Sequence, residues 1–219
     1  MINAVIPIWK PVDWTSFDVV KKIRGQIKPA KVGHAGTLDP FAEGVLMLCA
    51  GTYTKKVESY MDKEKEYIAV ITLGSETDTL DSTGKVIKIS PVTRLSKKVI
   101  EDSFKNFIGG YLQIPPMYSA LKKNGKPLYI YARKGVEISR EKRRVNIIDI
   151  SLLDYSPKSI TIKVNCGRGT YIRSLAKDIA EALDTTGYVQ TLQRTRIGEF
   201  NRTNCFTPDK FSSWLSARI

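Results

Sequence analysis

Residues 143–154 and 159–166 read as two strands, and only "YSPKS" joins them. A connection this short pairs antiparallel strands, because a parallel pair needs a crossover of about a dozen residues or more. Directly after comes "GTYIRSLAKDIAEAL", with Ile172, Leu175, Ala176, Ile179 and Leu183 at helical spacing. A hairpin with a helix behind it recurs nowhere as a regular βαβ rhythm. The fold class expected is therefore α+β, with a mixed, largely antiparallel central sheet flanked by helices.

The rest of the chain reads consistently with that frame. "NAVIPIWKP" predicts a short strand stopped at Pro11. Thr15 or Ser16 can cap a helix running to about Gly25, with Phe17, Val20 and Ile23 as its apolar stripe. Residues 28–44 are rich in Gly and Pro and read as loop. "GVLMLCAG" (44–51) reads as a buried strand, and a helix follows through Tyr60. Alternation over 65–74 puts Tyr67, Ala69, Ile71 and Leu73 on one strand face. "SETDTLDSTGKVI" is turn-like and returns to a strand. Residues 96–108 read as a helix with Val99, Ile100, Phe104 and Phe107 apolar. Two prolines make "GGYLQIPPMY" extended loop, and a short helix fits 127–134. Thr170 is a candidate N-cap for the helix at 172–183. Gly187 ends that helix, and "YVQTLQRTRIGEF" resumes as strand.

Charge bears on the partner. Lys and Arg number 35 against 22 Asp and Glu, a net +13. Such an excess suits a polyanion, whose counterions basic side chains displace, although membranes and acidic proteins also attract basic surfaces. The excess is uneven. Residues 121–145 hold nine cations and two acids, a balance of +7, with Tyr129 and Tyr131 interleaved. Cations mixed with aromatics suit phosphate tracking and base stacking; a solvated loop is the plainer alternative. The three cysteines are scattered with no CxxC pair, which argues against a zinc site and for buried thiols in a reducing compartment. No signal peptide or spanning-length apolar run is present, and a soluble cytoplasmic protein is expected.

Common catalytic arrangements fail. One histidine leaves little for a multi-histidine metal centre, and GxSxG, GxGxxG and GxxxxGK[ST] are absent. What remains is "VGHAGTLDPFAEG" (32–44). Gly33 and Gly36 allow close backbone approach to a ligand, His34 can stack on or bond a base, and Asp39 lies in a turn. A structural Asp-Pro turn explains Asp39 equally well. Arg173 breaks a local rule, since a cation in the first helical turn opposes the helix dipole. It either answers an anion or leans into solvent.

"GHAGTLDPFAEGVL" resembles the catalytic motif of the TruB family of pseudouridine synthases. So do "WKPVDWTSFDVV", "KEYIAVITLGSETDTLDSTG", "QIPPMYSALKKNGKPLYIYARKG" and "GRGTYIRSLAKDIA", in family order and at suitable spacing. The resemblance implies an isomerase that converts uridine 55 in the tRNA T-loop to pseudouridine, with the pseudouridine synthase catalytic fold over 1–219 and a basic RNA-binding insert at about 110–145. It implies Asp39 as the catalytic carboxylate, Tyr67 as the tyrosine packed on the target base and Arg173 as the arginine paired with the aspartate. His34 matches the histidine that contacts the RNA loop, and Lys10 the lysine that braces the catalytic loop. Lys55, Tyr171 and Leu192 fall at site-lining positions, and Arg143 and Arg144 would grip the tRNA stem through phosphates. No cofactor, metal or protein partner is implied, and a monomer is expected. Two departures stand out. Bacterial relatives commonly continue into a C-terminal RNA-binding domain, which is expected to be absent here, and Gln193 replaces a usual basic residue. A non-catalytic RNA-binding protein and a glycoside hydrolase are the competing readings; the latter needs a second carboxylate, for which Glu43 is the neighbour in sequence.

Overall fold

The structure is a computed structural model that describes residues 2–28 and 30–216. Pro29, within the stretch read as loop, lies outside the described residues. By backbone contacts the chain forms two compact units, 1–68 with 192–219, and 69–191.

The first unit starts with β1 (Ala4–Lys10), whose last five residues are buried. Helix α1 (Ser16–Gln26) follows. Thr15 caps it in a complete capping box with Asp18, which is why the helix begins where it does. Val19, Val20 and Ile23 face the core, while Phe17 is 67% exposed. The buried stripe is therefore rotated from the predicted one. The chain then forms β2 (Val32–Ala35) and β3 (Glu43–Ala50). β3 is antiparallel to β1 from Lys10↔Gly44 to Ala4↔Ala50, and β2 is antiparallel to its far half, Ala35↔Met47 to Val32↔Ala50. The loop expected over 28–44 thus contains a strand. A 3-10 turn at Gly51–Lys56 leads into α2 (Val57–Asp62). Ile6, Ile8, Val20, Ile23, Leu46 and Leu48 build the core between β1, β3 and α1.

β4 (Lys65–Leu73) crosses from one unit to the other, with every second residue buried from Lys65 to Leu73. Tyr67, Ala69, Ile71 and Leu73 share that buried face, as the alternation predicts. Next come β5 (Ser75–Thr77) and β6 (Val86–Ile89), paired antiparallel, then α3 (Lys97–Phe104), capped by Ser96. In α3 Ile100 and Phe104 are buried and Val99 is half exposed. β7 (Gly109–Gln113) occupies part of the stretch read as loop; the prolines at 115 and 116 act only beyond its end. Two lysine-rich strands, β8 (Lys122–Lys123) and β9 (Lys126–Pro127), form a hairpin. Asn124 and Gly125 turn it at φ 51° and 75°, the paired positive angles of a type I′ turn. Helix α4 (Leu128–Ala132) follows.

β10 (Arg143–Ser156) and β11 (Ser159–Cys166) form the expected antiparallel hairpin, and β7 pairs with the first half of β10. Helix α5 (Ile172–Ala182) has Tyr171, not Thr170, as its N-cap. Leu183 caps its end; Gly187 instead opens β12 (Gly187–Ile197). The strands of the second unit run β12-β4-β11-β10-β7, and α3 packs on α5 and β10. β12 returns to the first unit, where Gln193↔Glu43 and Arg194↔Gly44 pair parallel with β3. β13 (Phe200–Asn201) folds back on β12, and α6 (Phe211–Ser216) closes the described chain. Each unit is thus sheet with helices against it; β1–β3, β2–β3, β7–β10, β10–β11 and β12–β13 pair antiparallel, and β3–β12 pairs parallel. No helix among the described residues is long and apolar enough to cross a membrane.

Candidate active site

The stretch between β2 and β3 is held by its backbone. Ser16 Oγ, at the start of α1, donates to Leu38 O (3.1 Å) and accepts from Leu38 N (2.9 Å). Arg194 reaches in from β12, donating to Val45 O (2.7 Å), Gly36 O (3.0 Å) and Thr37 O (3.4 Å). Ala42 N donates to Asp39 O, and Asp13 N to Pro40 O (2.8 Å). Lys10 Nζ donates to Pro40 O (3.2 Å), Trp14 O (2.6 Å) and Pro11 O (2.8 Å). Five consecutive carbonyls, Gly36 to Pro40, therefore each accept a bond. The peptide that carries Asp39 is fixed from both sides, and the residue as a whole is half-buried. A side chain carried on a peptide held this way loses little entropy on orientation.

Electrostatics follow from the clasp. Lys10 and Arg194 are fully buried, at 0% and 1% exposure. Burial lowers the Lys10 pKa to about 8; the charge of Asp39 opposes this most, and Arg194 lowers it further. His34, on β2, has its pKa lowered by burial and by Arg194, so it is neutral at pH 7. Its Nδ1 is buried without a hydrogen-bond partner. Glu43 has both oxygens engaged, by Gln193 Nε2 (2.6 Å) and Trp9 Nε1 (3.2 Å). Gln193 thus serves a side-chain bond in the β3–β12 junction.

Tyr67 and Leu192 are buried, at 7% and 6% exposure, and Lys55 is exposed on the 3-10 turn. In the second unit Arg173 does not lean into solvent. It is 4% exposed, donates to Thr79 O (2.9 Å) and Tyr118 O (2.8 Å), and lies 3.5 Å from Asp81 Oδ2. Asp81 Oδ1 accepts from Thr79 Oγ1, Thr83 N and Thr83 Oγ1 (2.7, 3.0 and 2.6 Å), which turns Oδ2 to the arginine. A buried carboxylate and two carbonyls offset the unfavourable helix dipole. Tyr171 is half-buried at the N-cap. Arg143 and Arg144 are exposed at the start of β10, and the three lysines of the β8–β9 hairpin are exposed as well. No cluster of three or more potential metal-binding side chains of His, Cys, Asp or Glu occurs among the described residues.

Sequence reasoning missed Ser16, Asp81 and Arg194. The Ser in "WTSFD", the second Asp of "TDTLDSTG" and the first Arg of "LQRTR" were in view only as a cap, a turn and a strand residue.

Comparison with known proteins bears on this arrangement. A family model described as TruB family pseudouridylate synthase, N-terminal domain, matches residues 22–172. A second, described as tRNA pseudouridylate synthase B C-terminal domain, matches 173–217, which here are α5, β12, β13 and α6. Proteins named tRNA pseudouridine synthase B are similar over most of the chain. That of Phocaeicola vulgatus is 42% identical over 94% of this chain and 90% of its own length; that of Listeria welshimeri is 41% identical over 99% and 73%. Among solved structures, a Cbf5-Nop10-Gar1 complex superposes with a TM-score of 0.74 at 28% identity, covering 98% of this chain and 56% of that one. With a family model spanning well over half of its residues and relatives above 40% identity that match over 94% or more of this chain, the chain belongs to the TruB family of pseudouridylate synthases.

Proposed function

We propose that the chain isomerises uridine 55 in the T-loop of tRNA to pseudouridine, with Asp39 as the catalytic carboxylate acting on a flipped-out nucleotide. The observation that carries this reading is the anchored run of carbonyls from Gly36 to Pro40, which presents Asp39 on an immobilised peptide within the family motif. The names of the relatives supply tRNA as the substrate class.

The reaction needs little else. The C1′–N1 bond breaks, the uracil turns, C5 bonds to C1′, and the proton lost from C5 is balanced by one gained at N1. No atoms or electrons are exchanged with a co-substrate, and the proposal includes no cofactor. A carboxylate suits either role the step offers, nucleophile or base. Extruding the nucleotide costs a few kcal/mol, which pocket contacts must return. Tyr67 and Leu192 would pack on the flipped base, Arg173 would pair with Asp39, and His34 would meet the RNA loop. Lys10 acts as a brace, since all its donors point at backbone. Lys55 and Tyr171 would line the site, and Arg143 and Arg144 would hold stem phosphates. The chain would act as a single catalytic domain over 1–219 with a basic insert at 110–145, as a cytoplasmic monomer without an obligate protein partner.

Asp39→Asn tests the reading. Unmodified tRNA is incubated with wild type or variant and no cofactor, and pseudouridine is mapped chemically. The variant should lose pseudouridine formation by at least about a thousandfold, as expected when a group that makes or breaks the reacting bond is removed, while tRNA binding is largely kept. Turnover equal to wild type would refute the assignment. Release of free uracil would favour glycoside hydrolysis, against which the double engagement of Glu43 already argues.

A further inference from the structure

Gln113 ends β7, and its amide spends its bonding capacity on a residue 58 positions away. Oε1 accepts from Tyr171 N at 2.9 Å, and Nε2 donates to Tyr171 O at 3.0 Å. Nε2 also donates to the Tyr111 hydroxyl, which lies 3.5 Å from Asp178 Oδ2. These partners fix the amide's orientation, since a flipped amide would set NH₂ against N–H and oxygen against oxygen. The side chain is 1% exposed. A buried amide is costly unless fully bonded, and an apolar residue would fill the same space without that demand.

What the amide holds is the start of α5. Tyr171 is the N-cap and makes no side-chain cap of its own, so Gln113 grips the cap residue's backbone as a neighbouring strand would. Three residues on, Ser174 Oγ donates to Ile114 O at 2.7 Å. The first turn of α5 is thus fastened twice to one end of β7. Arg173 sits between the two fastenings, with its guanidinium on Thr79 O, Tyr118 O and Asp81.

We infer that Gln113 is a positioning residue for pseudouridine formation, setting the first turn of α5 and through it the aim of Tyr171 and Arg173. This rests on the reading above, in which Arg173 pairs with Asp39 and Tyr171 lines the site. Misplacing a reacting partner by about 1 Å can cost on the order of a hundredfold in rate.

The test uses the whole chain and unmodified tRNA, with single-turnover rate and tRNA dissociation constant measured separately. Gln113→Ala is expected to keep native circular dichroism and a cooperative melt above the assay temperature. Its rate should fall roughly 10- to 100-fold, with the dissociation constant little changed. Gln113→Glu adds a signature that a purely structural role would not produce. Protonated, its carboxyl can accept from Tyr171 N and donate to Tyr171 O; ionised, it can only accept. Its rate relative to wild type should therefore recover as pH is lowered. A wild-type rate in Gln113→Ala, a loss confined to tRNA affinity, or a pH-independent ratio for Gln113→Glu overturns the inference. If Gln113→Ala does not fold, the Gln113→Glu ratio decides. Arg173→Lys is the reference. No pseudouridine from wild type, or full activity in Arg173→Lys, removes the underlying reading; an impaired Arg173→Lys beside an unimpaired Gln113→Ala removes only this one.

Discussion

Lys10 has no exposed surface, yet its ammonium holds three backbone carbonyls around the Asp39 loop. Burial draws its pKa down from 10.5 to about 8 in the folded chain. Between those values the unfolded chain binds the extra proton and the folded one does not, so stability rises with pH. Below pH 8 the full cost of the buried charge is present. At about 1.4 kcal/mol per unit, the window spans roughly 3 kcal/mol. Urea denaturation of wild type and Lys10→Met at steps from pH 8 to 10.5 should show the difference moving in favour of wild type. A flat difference would mean that Lys10 titrates normally in the fold. At this scale the buried strand face that carries Tyr67 was legible in the sequence, and motif membership marked Asp39, Arg173 and Lys10 as candidates. Ser16, Arg194 and Gln113 were not, because most of their partners are backbone groups far along the chain, and a carbonyl leaves no mark in a sequence; Asp81 was not, because its bonds to Thr79 and Thr83 read as an ordinary turn.

Among the elements, the β3–β12 junction is the most constrained. Gly44 has φ 127°, and a Cβ there would lie 2.2 Å from Arg194 O and 2.7 Å from Arg194 N. The two backbones approach too closely for any side chain. Gly109 also has a positive φ, 89°, but open space around it. Gly44→Ala should cost more than about 3 kcal/mol and Gly109→Ala about 1 kcal/mol, a contrast that urea titrations resolve. Equal costs would mean that backbone angle alone, not crowding, sets the penalty. Elements defined locally were legible: the N-terminal cap of α1, the alternation of β4, the β10–β11 hairpin and the stripe of α5. β2 was not. Glycines at 33 and 36 and a proline at 40 read as loop, and only the unpaired edge of β3 makes 32–35 a strand. Phe17 and Val99 were misplaced for the same reason, since periodicity gives a stripe but not which flank meets the core.

For the molecule as a whole, the +13 charge matters through its placement. Arg143 and Arg144 are exposed at the head of β10, as are the lysines of the β8–β9 hairpin. Replacing both arginines with glutamine should weaken tRNA binding and reduce the slope of log affinity against log salt by roughly 0.7 to 0.9 for each phosphate no longer neutralised. An unaltered slope would place the tRNA-binding surface elsewhere. The two compact units carry a different consequence. Their boundary cuts β4 between Ile68 and Ala69, and β12 between Thr191 and Leu192, never a connecting loop. Scission at either point would leave a half-strand with raw, unmatched amide edges. Neither half can be lifted out as an exchangeable module without severing a strand.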